Sequence, residues 1–307
     1  MTDVIAISIC VATCRRPDGL LRLMDSINSQ ILPDNVSLKI IIVDNDPNAS
    51  ADLAHQSFAA TMKWPSEYIW EPNPGVSFAR NTAIDHVDTQ YCAFIDDDEY
   101  ACPNWISSHL LVAERTNADA VFGPVHYQLP HGAPQWMSSI VTFRPAANAD
   151  GASLAFGATN NVLIKMPIIR QLGIKFSEQY ALTGGEDTEY FSRLAELGGK
   201  LIWNKEAVVY ETVEIGRANL RWIVLRGYQG GQNFARIFFL CSSRWRRSVV
   251  AINRIMLIPL AILFIIILYP FSKPQSVNLI HKVAGWVGQI AILAGRSKYY
   301  EAYGDAT

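Results

Sequence analysis

Two stretches of the chain, VIAISICVAT (residues 4–13) and LKIIIVDND (38–46), are almost unbroken apolar runs rich in β-branched residues. A strand with one wet face alternates apolar and polar residues, whereas a run that is apolar at both parities has to be buried on both faces. Such strands belong to a parallel sheet covered by helices on each side, and the sequence between them supplies helices. After the loop Arg15–Gly19, Leu20, Leu21, Leu23, Met24 and Ile27 recur at helical spacing up to Gln30. Further on, Asp52–Thr61 reads as a helix and Glu67–Trp70 as a short strand. Residues 73–87 read as a glycine-containing loop entering a helix, and Cys92–Ile95 as another strand. Strand–helix alternation with short connections is the pattern of a doubly wound α/β domain. The 307 residues, 50% of them hydrophobic, suffice for one large domain with an appendage.

The second half is less regular. Residues 118–129 suggest an edge or antiparallel strand, 130–151 a loop, and 157–173 a turn, a strand and a helix. Residues 183–199 read as a glycine hinge and acids followed by an amphipathic helix, and 200–211 as one or two last strands. A net charge of −2, with no long basic run before residue 240, gives no support to a nucleic-acid partner. The cysteines Cys10, Cys14, Cys92, Cys102 and Cys241 form an odd set without zinc spacing, as expected of reduced thiols in a cytosolic compartment. Met1-Thr2-Asp3 lacks the basic start of a secretory signal, and the run Val4–Val11 is too short for its core. There is no G-x-G-x-x-G after the first strand, no Walker A loop, no H-E-x-x-H and no G-x-S-x-G.

In open α/β sheets ligands bind beyond the carboxyl ends of the strands. Polar clusters stand at three such ends: Thr13 after the first strand, Asp44 and Asp46 after the second, and Asp96-Asp97-Asp98 after the fourth. The last contains a D-x-D. Mg²⁺ and Mn²⁺ prefer carboxylate oxygens and are often held by one or two carboxylates plus substrate phosphates. A solvated turn would use the same letters; the strand-end position favours a cation site. In GGEDTEYF, Asp187 stands at the expected N-terminus of a helix, where capping is the plain alternative to chemistry. Gly184 and Gly185 before it allow a close approach of backbone to some other group.

ISICVATCRRPDGLLRLMDSI, IIIVDND, NPGVSFARNTAI, FIDDDEY and GGEDTEYFSRLAELG follow one another in an order and spacing that resembles the family 2 glycosyltransferases of GT-A fold, across residues 4 to 215. The resemblance is strongest to bacterial enzymes that build exopolysaccharide and lipid-linked saccharides. It implies an inverting, metal-dependent transferase that moves a sugar from a nucleotide-diphosphate donor, a UDP-sugar first, to a hydroxyl of a lipid-linked saccharide. Thr13, Asp44, Asn45, Arg80 and Asp97 would then bind the nucleotide and its diphosphate. Asp96 and Asp98 would hold Mg²⁺ or Mn²⁺, and Asp187 would be the general base. One base and in-line displacement give inversion, whereas a glycosidase needs two carboxyls flanking the bond. The other readings to separate are a catalytically idle member that binds sugar nucleotide or assembles a polysaccharide complex, and a nucleotidyltransferase.

The chain divides by pattern into a GT-A-like domain (1–215), a basic and amphipathic connection (216–250) and a hydrophobic helical tail (251–307). Ile255–Phe271 carries no charge and sits at the lower edge of membrane-spanning length; Val283–Gly295 is a weaker second segment. Arg244, Arg246, Arg247 and Arg254 precede the first and, by the positive-inside rule, point to the cytoplasmic face of a bacterial inner membrane, on the side of the catalytic domain. Arg296 and Lys298 would let a hairpin return there. Two spans, a re-entrant or interfacial hairpin, and a core helix interrupted by Pro259 and Pro270 remain open. Residues 222–239 could lie along the membrane surface or pack as an acceptor-side helix.

Overall fold

The computed structural model describes residues 4–240 and 242–295, so Cys241, Arg296 and Lys298 lie outside the described residues, as do Met1 to Asp3. The expected alternation opens the chain: β1 (Ile5–Thr13), α1 (Pro17–Asn28), β2 (Val36–Asp44), α2 (Asp52–Ala59), β3 (Ser66–Trp70), α3 (Val76–Asp85) and β4 (Tyr91–Ile95). Then come β5 (Glu99–Ala101), α4 (Trp105–Thr116), β6 (Ala120–Phe122), β7 (Val125–Gln128), β8 (Asn161–Lys165), α5 (Met166–Leu172), α6 (Glu186–Glu196), β9 (Leu201–Trp203) and β10 (Val209–Thr212). Three helices follow, α7 (Leu220–Phe238), α8 (Arg244–Leu268) and α9 (Lys273–Leu293).

The main sheet has the order β3-β2-β1-β4-β8-β6-β9. Its first four strands pair in parallel. β8 runs antiparallel to β4 and β6, and β6 is parallel to β9. The segment expected as one edge or antiparallel strand is thus two: β6 pairs antiparallel with β8 inside the sheet, and β7 joins a small sheet ordered β5-β10-β7. Ile40, Ile41, Ile42 and Val43 are all fully buried, so both parities of β2 are covered, as the unbroken apolar run demands. Burying each such side chain stabilises the fold by roughly 1.5–3 kcal/mol before chain entropy is counted.

A polar hub ties β8 to α4. The buried Asn161 donates from Nδ2 to the carbonyls of Pro124 (3.0 Å) and Ala207 (2.7 Å). Its Oδ1 therefore accepts, from Trp105 Nε1 (2.8 Å) and His109 Nε2 (2.8 Å). That orientation fixes His109 as the neutral tautomer with its proton on Nε2. Burial pushes His109 down to about 4, with the bond to Asn161 opposing. The unfolded chain consequently binds a proton between about pH 6.5 and 4 that the folded chain refuses, and stability falls as pH falls through that window. Denaturant titrations of the wild type at pH 7 and pH 4 should show this loss, on the order of 2–3 kcal/mol from His109. His109→Gln, which keeps an Nε2 donor in reach of Asn161, should flatten the slope; an unchanged slope would assign it to other groups.

Chain contacts separate two units. The first comprises Met1–His126, Ala146–Leu182 and Glu186–Glu211 and contains the main sheet. The second comprises Tyr127–Pro145, Thr183–Gly185 and Thr212–Thr307. In the second, α7 packs closely on α9 because small residues line the seam: a methyl group at Gly231 would strike the Gly285 carbonyl, and one at Gly288 the carbonyl of Tyr228. The N-terminal end of this pair closes over a cluster of Met137, Ile140, Phe143, Val213, Ile223 and Val277. Gly184 and Gly185, with φ of 71° and 92°, do permit a close approach, and it is the Asn233 side chain that makes it.

α8 packs on α9 along one stripe and is otherwise exposed; Ala261 is its one buried residue. Among the described residues it is the one helix long and apolar enough to cross a membrane. Its exposure removes the reading of this run as a core helix.

Candidate active site

β1 lies between β2 and β4, so the strand order reverses beside β1 and opens a crevice at the carboxyl ends of β1 and β4. The residues at those ends meet across it: Thr13 Oγ1 donates to Asp97 Oδ2 at 2.8 Å. Arg16, in the β1–α1 loop, donates from Nη1 to Asp97 Oδ1 (3.1 Å) and Asp98 Oδ2 (2.9 Å). α1 can come this near because it carries Gly19 at the contact, where a Cβ would stand 2.5 Å from the Asp97 carbonyl oxygen. Asp97 is buried, which pushes its carboxyl up to about 6; Arg16 and the Thr13 bond oppose that, and the neighbouring Asp98 adds to it.

A second cluster faces the same acids. Gly75 opens α3 with φ of 132° and leaves room for Ala181 where a side chain would be. One turn later α3 presents the buried Arg80, whose guanidinium lies 5.9 Å from the centre of the Phe176 ring. Arg80 pairs with Glu186 at the start of α6, and its Nη2 reaches Asp96 Oδ1 at 3.4 Å. Glu186 Oε2 is buried without a hydrogen-bond partner among the described residues. Burial raises the Glu186 carboxyl above the usual range against the pull of Arg80, and Asp187 adds to the rise.

Asp96 keeps 42% of its side-chain area open, yet protein closes around it enough that desolvation raises its pKa. Arg80 and Arg16 oppose the rise, and the charges of Asp98 and Asp187 reinforce it. Asp187 therefore acts electrostatically on the same spot as the D-x-D. Its Oδ1 accepts from Thr188 N at 2.6 Å.

Asp44 and Asn45 stand on the β2 side and hold loops in place. Asp44 accepts from Asp46 N (2.9 Å), Ala51 N (2.8 Å) and the Tyr68 hydroxyl (3.0 Å). Burial and that last bond push the Tyr68 hydroxyl well up. Asn45 donates to the carbonyls of Glu71 (2.9 Å) and Asn73 (2.7 Å) and accepts from Gly75 N (2.7 Å), which anchors the entry to α3. Glu99 braces the acid turn: its Oε2 accepts from Asp96 N at 2.9 Å, and burial raises its carboxyl well above the usual range.

The structure thus gathers Thr13, Asp96, Asp97, Asp98 and Arg80 around one crevice and brings the charge of Asp187 to bear on Asp96, while Asp44 and Asn45 shape its rim. Sequence reasoning missed Arg16, Glu186 and Glu99 as parts of the site. Arg16 could have been suspected as a cation just past a strand-end Thr13, and Glu186 as an acid beside Asp187.

Among the described residues no three or more His, Cys, Asp or Glu are grouped to hold a metal ion. Asp96 and Asp98 are two carboxylates, each paired with a guanidinium that brings positive charge to the place a cation would take. Two carboxylates completed by substrate phosphates are a common Mg²⁺ arrangement, so the donor set fits such a cation.

This mixed sheet, with an acid-tipped strand at its switch point, is the fold of the GT-A glycosyltransferases. S. aureus TarS shares it, with a TM-score of 0.54 at 14% identity over 78% of this chain; the chain spans only 44% of that TarS chain. It spans 93% of a shorter TarS structure, residues 1–349 in complex with UDP-GlcNAc, covering 95% of its own length at a TM-score of 0.53 and 12% identity. In sequence, the chain is 32% identical over 235 residues to the succinoglycan biosynthesis protein ExoM of Rhizobium meliloti (strain 1021), covering 76% of each. The family model Glycosyl transferase family 2 matches residues 8–173. The chain belongs to glycosyl transferase family 2 and is a glycosyltransferase.

Proposed function

We propose that this enzyme transfers a sugar from a nucleotide-diphosphate sugar, with UDP as the nucleotide, to a hydroxyl of a lipid-linked saccharide at the cytoplasmic face of a bacterial inner membrane. The product serves exopolysaccharide synthesis, and the anomeric centre is inverted. The observation that carries the reading is the meeting of two acid–guanidinium clusters, Arg16 with Asp97 and Asp98, and Arg80 with Glu186 and Asp96, at the sheet's switch point. The kinship with ExoM, named for succinoglycan biosynthesis, supports the polysaccharide, and the TarS complex with UDP-GlcNAc supports the donor class.

In this reading Asp96 and Asp98 hold Mg²⁺ or Mn²⁺. Held there, a cation would supply positive charge to the diphosphate as it leaves. Arg80, fixed by Glu186 and backed by Phe176, stands beside Asp96 to receive phosphate oxygens. Thr13 and Asp97 close the floor, and Asp44 and Asn45 fix the loops around the nucleotide. A carboxylate engaged by a cation has lost its basicity, so the acceptor's proton passes to a separate group, Asp187.

The test is a donor screen on membranes containing the full chain, with hydrolysis and transfer followed separately in Mn²⁺ and in EDTA. Cation-dependent transfer from one UDP-sugar to a lipid-extractable product is expected. Tight donor binding without turnover would make the chain an idle binder, and release of sugar 1-phosphate in place of UDP, with transfer of UMP, would make it a nucleotidyltransferase.

A further inference from the structure

We infer that α8 lies in the plane of the membrane, embedded in one leaflet of an anionic bilayer, and does not cross it. The inference rests on the membrane association proposed above and specifies its geometry.

The uncharged part of α8, Ile255–Leu268, is about 21 Å long at 1.5 Å per residue, and with the apolar turns before Arg254 the helix is long enough to cross, so its neighbours and not its length decide its placement. Its neighbours fix its level in the second unit. Arg254 donates from Nε to Gln289 Oε1 at 3.1 Å and lies 5.5 Å from the centre of the Trp286 ring. From there α8 runs to its turn into Lys273, so Ile255–Leu268 lies alongside the part of α9 before Gln289. That part of α9 packs on α7 through Gly227, Gly231, Gly285 and Gly288.

Chain outside the α-helices meets this α7–α9 pair at two levels along that stretch. Near its start, Val277 and Ile223 share a cluster with Met137, Ile140 and Phe143, and Val141 N donates to Asn278 Oδ1 at 2.7 Å. About 15 Å further along α7, at 1.5 Å per residue, Asn233 packs on Gly184 and Gly185. In hydrocarbon, irregular backbone is tolerated only where it is buried in protein or lines a water-filled cavity. A spanning α8 would carry both of these irregular segments to membrane depth beside it. An in-plane α8 leaves them on the aqueous side.

The exposed arc fits that placement. Beyond the stripe facing α9, α8 shows Met256, Leu260, Leu263 and Ile267 to solvent, with no charge after Arg254. Its N-terminal turn carries exposed Arg244 and Arg246 with Trp245, which is 76% exposed. Basic residues and an interfacial aromatic ahead of an apolar arc match the headgroups and acyl boundary of an anionic leaflet.

The full-length protein can be tested with nitroxide labels at Val249, Met256 and Leu263, which lie seven residues apart on one side of α8. The background is Cys14→Ser, Cys102→Ser and Cys241→Ser, leaving the buried Cys10 and Cys92. Oxygen and nickel-chelate accessibilities in phosphatidylcholine–phosphatidylglycerol vesicles report depth. An in-plane helix gives one shallow depth at all three sites. A spanning helix gives depths stepping by up to about 10 Å between sites, and that result overturns the inference while keeping membrane association. Absence of vesicle binding, with the labels immobilised, would instead defeat the membrane reading itself and point to a protein cover. Arg244→Gln with Arg246→Gln should weaken binding to the anionic vesicles by roughly 10- to 30-fold. It should leave binding to pure phosphatidylcholine unchanged, and an equal loss on both would remove the headgroup role.

Discussion

Asp187→Asn is expected to lower kcat by roughly 10²–10⁴-fold, the usual worth of a positioned general base, while leaving donor and cation binding near wild type. The substitution is almost isosteric. The oxygen that accepts from Thr188 N can be kept by the amide, and the pairing of Arg80 with Glu186 and Asp96 involves other atoms. What disappears is a carboxylate able to take a proton, together with a negative charge that acts on Asp96. Calorimetry with the sugar nucleotide and Mn²⁺, run beside initial rates, measures both consequences. A large loss of donor affinity would move Asp187 into the binding shell, and an unchanged rate would take it out of the reaction.

That such a residue can be named from the chain reflects which physical demands leave a local trace. Burial on both faces forces β2 to be apolar at successive positions, so Ile40–Val43 announce a covered parallel strand within four letters. Acids directly after the buried Cys92–Ile95 are also legible, because desolvation makes them costly unless a site employs them. The partners of those acids leave no such trace. Arg16 meets Asp97 across 81 positions, and Arg80 meets Glu186 across 106, so neither pairing has a sequence period. Glu186 reads as a helix-capping acid until α3 is seen to place a guanidinium against it.

Strand order is hidden for a similar reason. β8 inserts between β4 and β6 although it follows both in the chain, and nothing in the apolar run of β6 distinguishes an interior position from an edge. Asp44 and Asn45 show the converse problem. A polar residue that holds a loop and one that lines a pocket look alike at a strand end. The hydrogen bonds to Ala51 N, Tyr68 and Gly75 N reveal which work these two do.

Asp98→Asn is expected to reduce transfer at least 10²-fold, and, unlike the change at Asp187, to do so through lost cation and donor affinity. Asp98 stands on a turn at the tip of β4 with 13% of its side chain exposed, and its Oδ2 accepts from Arg16 Nη1 at 2.9 Å. An amide oxygen there can still accept from Arg16, and Arg16 keeps its second contact with Asp97, so the acid turn should hold its shape. The fold should survive, with a melting temperature close to wild type. The local charge, however, changes by one unit beside two guanidiniums, and an amide is a far poorer ligand than a carboxylate for a hard cation. Mn²⁺ titration followed by electron paramagnetic resonance, with and without UDP, should show weakened binding in both conditions and the greater weakening with UDP present. Activity would then recover in part at high Mn²⁺. Turnover by Asp98→Asn at the wild-type rate, or a wild-type enzyme indifferent to EDTA, would end the assignment of Asp96 and Asp98 to a cation. Arg16 and Arg80 would remain as the positive charges available to the leaving diphosphate.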